Sequence, residues 1–178
     1  NLISLDVSKN TALEYLLCYW NPLTSLDVSN NTALIEFECK SNQLTTLDVT
    51  KNTKLEVLDC SENQLTSLDL SNNTLLKRLS CSSNNLSSLD LSNNTLLKRL
   101  YCSSNNLSSL DLSNNLNLNP TMSWYVDCSD NSYTVNIDKT FIFNLSSLPG
   151  EFDHTRMSIK SGNAVDKDGY LNIDESIG

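Results

Sequence analysis

Apolar residues recur along this chain in the pattern L-x-x-L-x-C-x-x-N-x-L, which first runs from Leu13 through Cys18 and Asn21 to Leu23. The pattern returns every 21 residues, and its cysteines are Cys18, Cys39, Cys60, Cys81 and Cys102. A fixed period of this length is typical of a solenoid in which copies of one short unit are stacked. Residues that share a position in the unit are therefore expected to be neighbours in space.

Each 21-residue unit is nearly a duplicate of itself. Its second half repeats the pattern as L-x-x-L-x-[VL]-x-x-N, for example from Leu23 to Asn31, and the chain opens on such a half, from Leu2 to Asn10. Apolar and variable residues alternate in both halves, which is the period of a strand with one buried face. Each half is also too short for an ordinary helix. The pattern predicts two short extended segments per unit, stacked into two parallel ladders with leucine, valine and cysteine between them.

An asparagine follows each extended segment, where the chain must turn. Its side chain can hydrogen-bond the peptide groups that a corner leaves unpaired, and it tolerates turn conformations. We therefore expect two stacked asparagine ladders. The first, on the cysteine side of the unit, consists of Asn21, Asn42, Asn63, Asn84 and Asn105. The second, on the opposite side, consists of Asn10, Asn31, Asn52, Asn73, Asn94 and Asn115.

These repeats resemble the bacterial leucine-rich-repeat family, specifically its 21-residue subtype with nested halves, the IRREKO type. They are similar to exported and surface leucine-rich-repeat proteins of gut bacteria. The resemblance implies a mainly β, right-handed solenoid with short parallel strands on both faces and little helix. It also implies export to the cell surface or secretion, and binding of a protein or glycan ligand through the strand-lined face.

The repeat pattern divides the chain into three parts. Residues 1–118 form the solenoid, with five cysteine-bearing units after the N-terminal half unit. Residues 119–138 are a degenerate last repeat, in which Cys128 arrives 26 residues after Cys102. Residues 139–178 are expected to form a small β-rich cap, since the last repeat of a solenoid otherwise exposes its core. Asn1 is in phase with the position after a corner, so we expect upstream sequence to have been removed.

Composition narrows the classes of partner. The 178 residues include 12 Lys and Arg against 21 Asp and Glu, which gives a net charge of −9. Phosphate backbones are bound by dense basic surfaces, so the charge argues against nucleic acid as a partner. The chain has no run of 18 apolar residues, so we expect no membrane insertion in this segment.

The cysteine column first suggests a metal or redox site. Thiols that step along parallel strands do not converge into the tetrahedral set that zinc needs, however. Each cysteine stands where the other half-unit has a residue such as Val28 or Leu70, which indicates a small core residue. Neighbouring thiols are near enough for a disulfide but have poor torsional geometry on one sheet. We predict buried thiols and no metal or other cofactor.

A column of aspartates is expected on the outward side of the other half-units: Asp6, Asp27, Asp48, Asp69, Asp90 and Asp111. Like charges that are stacked strand over strand repel one another. Hydrogen bonds from hydroxyl and backbone N–H groups could stabilise the carboxylates, and so could a bridging divalent cation. We favour the hydrogen-bonded alternative. A calcium loop at Asp166–Glu175 is disfavoured against a hairpin that turns at Asp168 and Gly169.

Two clusters on the outward face of the cysteine-side strands are candidate contact residues. The first, the aromatic cluster, consists of Tyr15, Leu17, Tyr19 and Trp20, and the alternative to a ligand contact there is coverage by upstream repeats or an N-terminal cap. The second, the arginine–tyrosine patch, consists of Arg78, Arg99, Tyr101, Trp124 and Tyr125. Aromatic residues and arginine dominate the energetics of protein interfaces, and exposed apolar clusters usually mark contacts. Tyrosine and tryptophan can also stack on a sugar.

The sequence therefore predicts a non-catalytic scaffold whose strand face binds a protein or glycan. Catalysis is disfavoured because the single histidine, His154, has no partner placed by any motif. One alternative is a structural spacer or stalk of an adhesin, because residues 70–90 and 91–111 differ only at Ser80 against Tyr101. A second alternative is a calcium-dependent adhesin.

Overall fold

A computed structural model of the protein describes residues 1–118, 126–128, 131, 134–136, 143–144 and 170–171. None of these residues lies in a helix. Their strands are β1 (Tyr15–Leu17), β2 (Glu36–Glu38), β3 (Val57–Asp59), β4 (Arg78–Ser80), β5 (Arg99–Tyr101), β6 (Ser109–Asp111), β7 (Val126–Asp127), β8 (Thr134–Asn136), β9 (Phe143–Asn144) and β10 (Tyr170–Leu171).

The cysteine side of the units forms one parallel sheet of six strands in the order β1-β2-β3-β4-β5-β7. Its register joins residues that share a position in the repeat, such as Leu16 with Phe37 and Phe37 with Leu58. The middle residue of each strand from β1 to β5 is buried, as alternation along a strand requires. The predicted stacking of units in phase is confirmed.

The opposite side of the units is held mainly by turns. In one unit the N–H of Asn31 donates to the carbonyl of Val28 at 2.9 Å, and the N–H of Leu34 donates to Asn31 at 3.1 Å. Consecutive tight turns leave little extended backbone, so parallel strand pairing on this side is described only for β6 with β8. The second predicted ladder is present, but most of it is not strand.

The core is a continuous stack of leucine, valine and cysteine. Leu34, Leu55, Leu76 and Leu97 are fully buried at one repeat position, and burial of each such side chain contributes roughly 1.5–3 kcal/mol. All six cysteines are buried and none forms a disulfide in this structure. The prediction that cysteine occupies the place of a small apolar core residue is confirmed.

The two asparagine ladders fix the corners between stacked units. In the first ladder the Nδ2 group of Asn63 donates to the carbonyls of Cys39 and Cys60, each at 3.1 Å. The Oδ1 atom of the same residue accepts the N–H of Leu44 at 3.0 Å. Since Cys39 and Leu44 belong to the preceding unit, each such asparagine joins two units.

The structure describes only part of the predicted C-terminal cap. β9 and β10 pair in antiparallel orientation, with Phe143 opposite Leu171. The Asp168-Gly169 turn, most of the 139–178 cap and the 166–175 loop lie outside the described residues. The three-part division of the chain and the right-handed coil stay predictions.

A candidate ligand-binding face

The outward side chains of the six-stranded sheet form the strand face. Its first column contains Tyr15, Glu36, Val57, Arg78 and Arg99, which are joined in register. Its second column contains Leu17, Glu38, Asp59, Ser80, Tyr101 and Asp127. The sequence predicted this arrangement, so the side chains at these positions can be compared directly from unit to unit.

The aromatic cluster lies at the β1 end of the strand face. Tyr15 is 56% exposed, Leu17 53%, Tyr19 46% and Trp20 70%, whereas side chains of this type are normally largely buried. Leu2, which is 47% exposed, lies beside the cluster because its N–H donates to Oδ1 of Asn21 at 2.7 Å. The sequence analysis did not place Leu2 near the aromatic cluster. The contact follows the repeat, because the N–H of Leu23 donates to Asn42 at the same offset of 19 residues.

The backbone under the aromatic cluster is held by the adjacent unit. The N–H of Cys18 donates to the carbonyl of Glu38 at 2.9 Å, and that of Trp20 donates to Lys40 at 3.0 Å. Trp20 has a φ of 59°, and Ser41, Glu62, Ser83 and Ser104 have positive φ at the same position of their units. A repeated left-handed corner therefore projects the Trp20 ring from the first unit.

Arg78 belongs to an ion-pair group at the centre of the strand face. Its guanidinium nitrogen lies 3.8 Å from Glu38 and 3.6 Å from Asp59, so the side chain reaches across two neighbouring strands. Asp59 is only 8% exposed and also accepts the N–H of Ser61 at 3.1 Å. The structure therefore pairs Arg78 with two acidic residues, one of which, Glu38, is in register with Leu17 of the aromatic cluster.

Burial is the largest influence on the carboxyl group of Glu38. It raises the pKa above the ordinary 4.5, the Arg78 charge opposes that shift, and Asp59 and Glu36 add to it. Two acidic side chains in register with the aromatic cluster, Glu36 opposite Tyr15 and Glu38 opposite Leu17, give this end of the face a negative border. A cationic group on a ligand would be favoured there.

The arginine–tyrosine patch is described for three of its five residues. Arg99 is exposed and pairs in register with Arg78, while Tyr101 is half-buried and pairs with Ser80. Trp124 and Tyr125 lie outside the described residues. The structure thus brings Arg78, Arg99 and Tyr101 onto neighbouring strands, and the contribution of the two remaining aromatic residues stays a prediction.

A third group borders the strand face and was not foreseen. Glu62 lies 3.1 Å from the ammonium of Lys40 and accepts a 2.6 Å hydrogen bond from the hydroxyl of Ser41. That hydroxyl, followed by the lysine, holds the pKa of Glu62 below its usual value. The sequence could have indicated this ion pair, because Lys40 and Glu62 stand at adjacent positions of successive units.

The aspartate column lies on the side opposite the strand face. Each Oδ1 atom accepts the N–H of the residue two positions later, as in Asp27 with Ser29 and Asp48 with Thr50, both at 2.9 Å. Hydrogen bonds from Ser29 hold the pKa of Asp27 below 3.8. The predicted hydrogen-bonded arrangement is confirmed. Among the described residues, no group of three or more His, Cys, Asp or Glu is placed to hold a metal ion.

Stacked 21-residue units, a parallel sheet along one side and asparagine corners define a leucine-rich-repeat solenoid, and the chain is a leucine-rich-repeat protein. The described part contains no helix of the length and apolar character required to cross a bilayer. No protein-family model and no curated protein matches the chain.

Solved bacterial structures do match it. The functional domain of InlJ from Listeria monocytogenes, which includes a cysteine ladder, is 34% identical over 83% of this chain, with a TM-score of 0.59. The internalin InlF from Listeria monocytogenes is 26% identical over 72% of the chain, with a TM-score of 0.66. The leucine-rich-repeat protein LIC12759 of Leptospira interrogans shares the fold at 20% identity over 75% of the chain and a TM-score of 0.60.

The match is to part of each of those proteins. This chain spans 40% of the InlJ domain, 38% of InlF and 35% of the Leptospira protein. A repeat solenoid is a scaffold for many ligands. Any proposal about what this chain binds therefore depends on the residues of the strand face.

Proposed function

We propose that this protein is a non-catalytic scaffold that binds a protein ligand through its strand face, with the aromatic cluster as the main contact. The observation that carries the proposal is the exposure of four large apolar or aromatic side chains on one end of a parallel sheet, up to 70% for Trp20. Clusters of this kind mark interaction sites on protein surfaces.

The rigidity of the face supports the proposal. Backbone hydrogen bonds of 2.9 to 3.0 Å join the first unit to the second directly beneath the cluster. A contact surface that is already ordered loses little conformational entropy on binding. The Trp20 ring, in particular, projects from a corner whose φ is set by the same geometry in four further units.

Charge indicates the kind of ligand surface that fits. Glu36 and Glu38 border the aromatic cluster, and the whole chain carries a net charge of −9. A protein surface with apolar side chains next to lysine or arginine complements this arrangement. Complementary charges mainly raise the association rate, so binding should weaken as salt is added.

Similarity to Listeria internalins supports a further part of the proposal, that the protein is exported and acts at the bacterial cell surface or in secreted form. A glycan ligand is the alternative at the same cluster, since Tyr19 and Trp20 could stack on a sugar face. The arginine–tyrosine patch is proposed as a second contact.

The chain offers its own matched substitutions for a test. Leu17, Tyr19 and Trp20 correspond to Ser80, Ser82 and Ser83 of the fourth cysteine-bearing unit, so Leu17→Ser/Tyr19→Ser/Trp20→Ser installs residues that the same fold already accepts. The wild type, this variant and a Ser25→Ala/Ser67→Ala control from the aspartate side are applied to one array of purified extracellular proteins and defined glycans.

Protein spots that bind the wild type and the control but not the triple-serine variant would support the proposal. Signals confined to glycan spots would replace the protein ligand with a sugar. Equal binding by the triple-serine variant would remove the aromatic cluster from the account. The matched change Tyr101→Ser, together with Arg99→Ala, tests the second patch in the same way.

The two other candidate functions predict different outcomes. A stalk or spacer predicts that no substitution on the strand face changes binding and that only the number of units matters. A calcium-dependent adhesin predicts that chelation abolishes binding, and that Asp48→Asn and Asp69→Asn weaken it. Under either of these alternatives, removal of the strand-face aromatic residues would leave the function of the protein unchanged.

A further inference from the structure

The last two cysteines of the column differ from the rest in their contact. The Sγ atom of Cys102 lies 2.9 Å from that of Cys128. Both side chains are buried, at 0% and 4% exposure. Among the described cysteines, this is the pair that the structure brings into direct sulfur–sulfur hydrogen-bond contact.

The backbone places these two residues in register across neighbouring strands. Leu100 pairs with Val126 and Tyr101 with Asp127, and the N–H of Cys102 donates to the carbonyl of Asp127 at 2.8 Å. Neighbouring strands run roughly 4.8 Å apart, inside the range of Cα separations found across disulfides, but every cysteine of the column shares that spacing and its poor torsional geometry. The 2.9 Å sulfur contact is what distinguishes this pair. Closing the sulfur gap to the covalent length of about 2.05 Å requires the sulfurs to approach by roughly 0.9 Å.

The same two residues border the irregular part of the solenoid. Cys102 and Cys128 are 26 residues apart, whereas the other neighbouring cysteines of the column are 21 apart. Asn131 spans this join, since its Nδ2 group donates to the carbonyls of Cys102 at 2.9 Å and Cys128 at 3.4 Å. A covalent bond here would fix β7 against β5, where Tyr101 and Asp127 end the second column of the strand face.

We propose that Cys102 and Cys128 form a disulfide bond that fastens the last repeat to the solenoid, while the other four cysteines stay thiols. The oxidant is a small-molecule or protein disulfide, such as oxidised glutathione. The inference rests on the proposed export only for where the reaction happens, since disulfides persist in oxidising compartments.

The reaction balances as two thiol–disulfide exchanges. The thiolate of one cysteine attacks a sulfur of the oxidant, which forms a mixed disulfide and releases one thiol of the oxidant. The sulfur of the second cysteine then attacks its partner in the mixed disulfide, which releases the second thiol. Two electrons pass from the cysteines to the oxidant, and the two thiol protons end on its released sulfurs.

The sulfur contact of Cys102 with Cys128 explains the selectivity, and burial explains the timing. Burial raises the pKa of the Cys18 thiol from 9.0 to about 11, and raises those of Cys39 and Cys81 well above 9.0. The pKa of Cys102 is raised well above 9.0 too, first by its hydrogen bond to Cys128 and then by burial. The thiolate, which is the attacking species, is therefore scarce in the folded column. Oxidation takes place while the last repeat is still docking, and the closed bond is afterwards shielded from reductants.

The test uses the full chain. Reduced, unfolded protein is refolded with a mixture of reduced and oxidised glutathione, and is then alkylated in denaturant without reductant. Of the six cysteines two are consumed, so mass spectrometry should find four alkyl groups and one cross-linked peptide pair that contains Cys102 and Cys128. Six alkyl groups, or a link between any other two cysteines, would overturn the proposal.

Matched variants give a second readout. Cys102→Val/Cys128→Val and Cys39→Val/Cys60→Val both install the residue that fills the same place at Val28 and Val49. Reductant should lower the Tm of the refolded wild type and of the Cys39/Cys60 variant by several degrees. It should leave the Tm of the Cys102/Cys128 variant unchanged, and an equal reductant effect in both variants would contradict the proposal.

The two proposals can fail separately. The cross-link is measured in purified protein without ligand, so its absence leaves ligand binding by the aromatic cluster untouched. Negative results on the protein and glycan array likewise leave the mass measurement valid.

Discussion

The two sides of each 21-residue unit have nearly the same sequence pattern but different structures. The cysteine side forms a parallel sheet, and its outward positions change from unit to unit, as in Tyr15, Glu36, Val57 and Arg78. The aspartate side consists mainly of tight turns, and its outward position is aspartate in all six copies. Variation in size and charge is therefore larger on the side whose side chains are held on strands, as expected for a scaffold with one surface that differs along its length.

The asparagine ladders show the same contrast in the interior. In the first ladder Asn84 donates to the carbonyls of Cys60 and Cys81 and accepts the N–H of Leu65 at 3.0 Å. In the second ladder Asn73 donates to Val49 and Asn52, but within the described residues its buried Oδ1 atom accepts no hydrogen bond. Asparagines of the first ladder use both the Nδ2 donor and the Oδ1 acceptor of the side-chain amide, whereas those of the second ladder use only the donor.

The largest predicted effect is a loss of stability at alkaline pH. It comes from the buried cysteines and is absent from the valines and leucines that stand in their place on the aspartate side. Burial raises the pKa of these thiols above the unfolded value of 9.0. Their contribution to stability is complete below pH 9 and is lost as the pH rises through the folded values. One pH unit above the unfolded pKa, each buried thiol should have lost about 1.4 kcal/mol.

Urea unfolding of the reduced protein at pH 7 and pH 10 measures this loss. Cys39→Val/Cys81→Val should recover about 3 kcal/mol of it at pH 10, since valine has no proton to release. The same alkaline loss in the variant would show that these thiols are already ionised or exposed in the folded state.

The next prediction tests the first asparagine ladder. Asn84→Ala removes the acceptor of the buried Leu65 N–H and one donor from each of two buried carbonyls. We expect a loss of about 2 kcal/mol in the free energy of unfolding, measured by urea denaturation at pH 7. The neighbouring exposed substitution Asn85→Ala is the control and should stay within about 0.5 kcal/mol.

A smaller loss is predicted for the second asparagine ladder. After Asn73→Ala the carbonyl of Val49 keeps the N–H of Asn52 at 3.0 Å, and the carbonyl of Asn52 keeps that of Leu55 at 3.1 Å. The change also removes a buried oxygen that accepts no described bond. Asn73→Ala should therefore cost only about 1 kcal/mol in the same denaturation experiment. Equal losses at Asn73 and Asn84 would contradict the distinction between the ladders.

The smallest effect belongs to the exposed aspartate column. The hydroxyl and N–H of Thr50 hold the pKa of Asp48 below the ordinary 3.8. The stabilisation by the charged form is present above pH 3.8 and is lost as the pH falls through the folded value. Asp48→Asn should reduce stability by a few tenths of a kcal/mol, about the value of an exposed charge interaction, at pH 7. The difference between the urea midpoints of the two proteins should shrink as the pH falls below 3.8, and a constant difference would assign the effect to something other than the charge.

Most of the fold could be predicted from the phase of the repeat. Position in the unit was sufficient to place the cysteines in the core, the asparagines at corners, and residues such as Tyr15 and Arg99 on the strand face. The shortness of strand on the aspartate side was not predicted, because the L-x-x-L-x-[VL] pattern does not reveal where consecutive tight turns begin.

The candidate site was less predictable than the fold. The left-handed corner at Trp20 gave no signal, since glycine is absent from that position in the units with positive φ. The contact role of Arg78 stays a prediction, but its ion pairs with Asp59 on the next strand and with Glu38 two strands away were not foreseen, because they depend on the reach of a long side chain. The sulfur contact of Cys102 with Cys128 likewise depends on side-chain placement that repeat spacing does not determine.

The most direct test of the difference between the two sides is the affinity for the strongest protein hit of the array. The Kd is measured for the wild type, for Trp20→Ser on the strand face and for Ser25→Ala on the aspartate side. We expect Trp20→Ser to weaken binding by at least about tenfold, which is about 1.4 kcal/mol, and Ser25→Ala to leave it unchanged. An unchanged Kd for Trp20→Ser, or an equal loss for Ser25→Ala, would contradict a ligand-binding strand face.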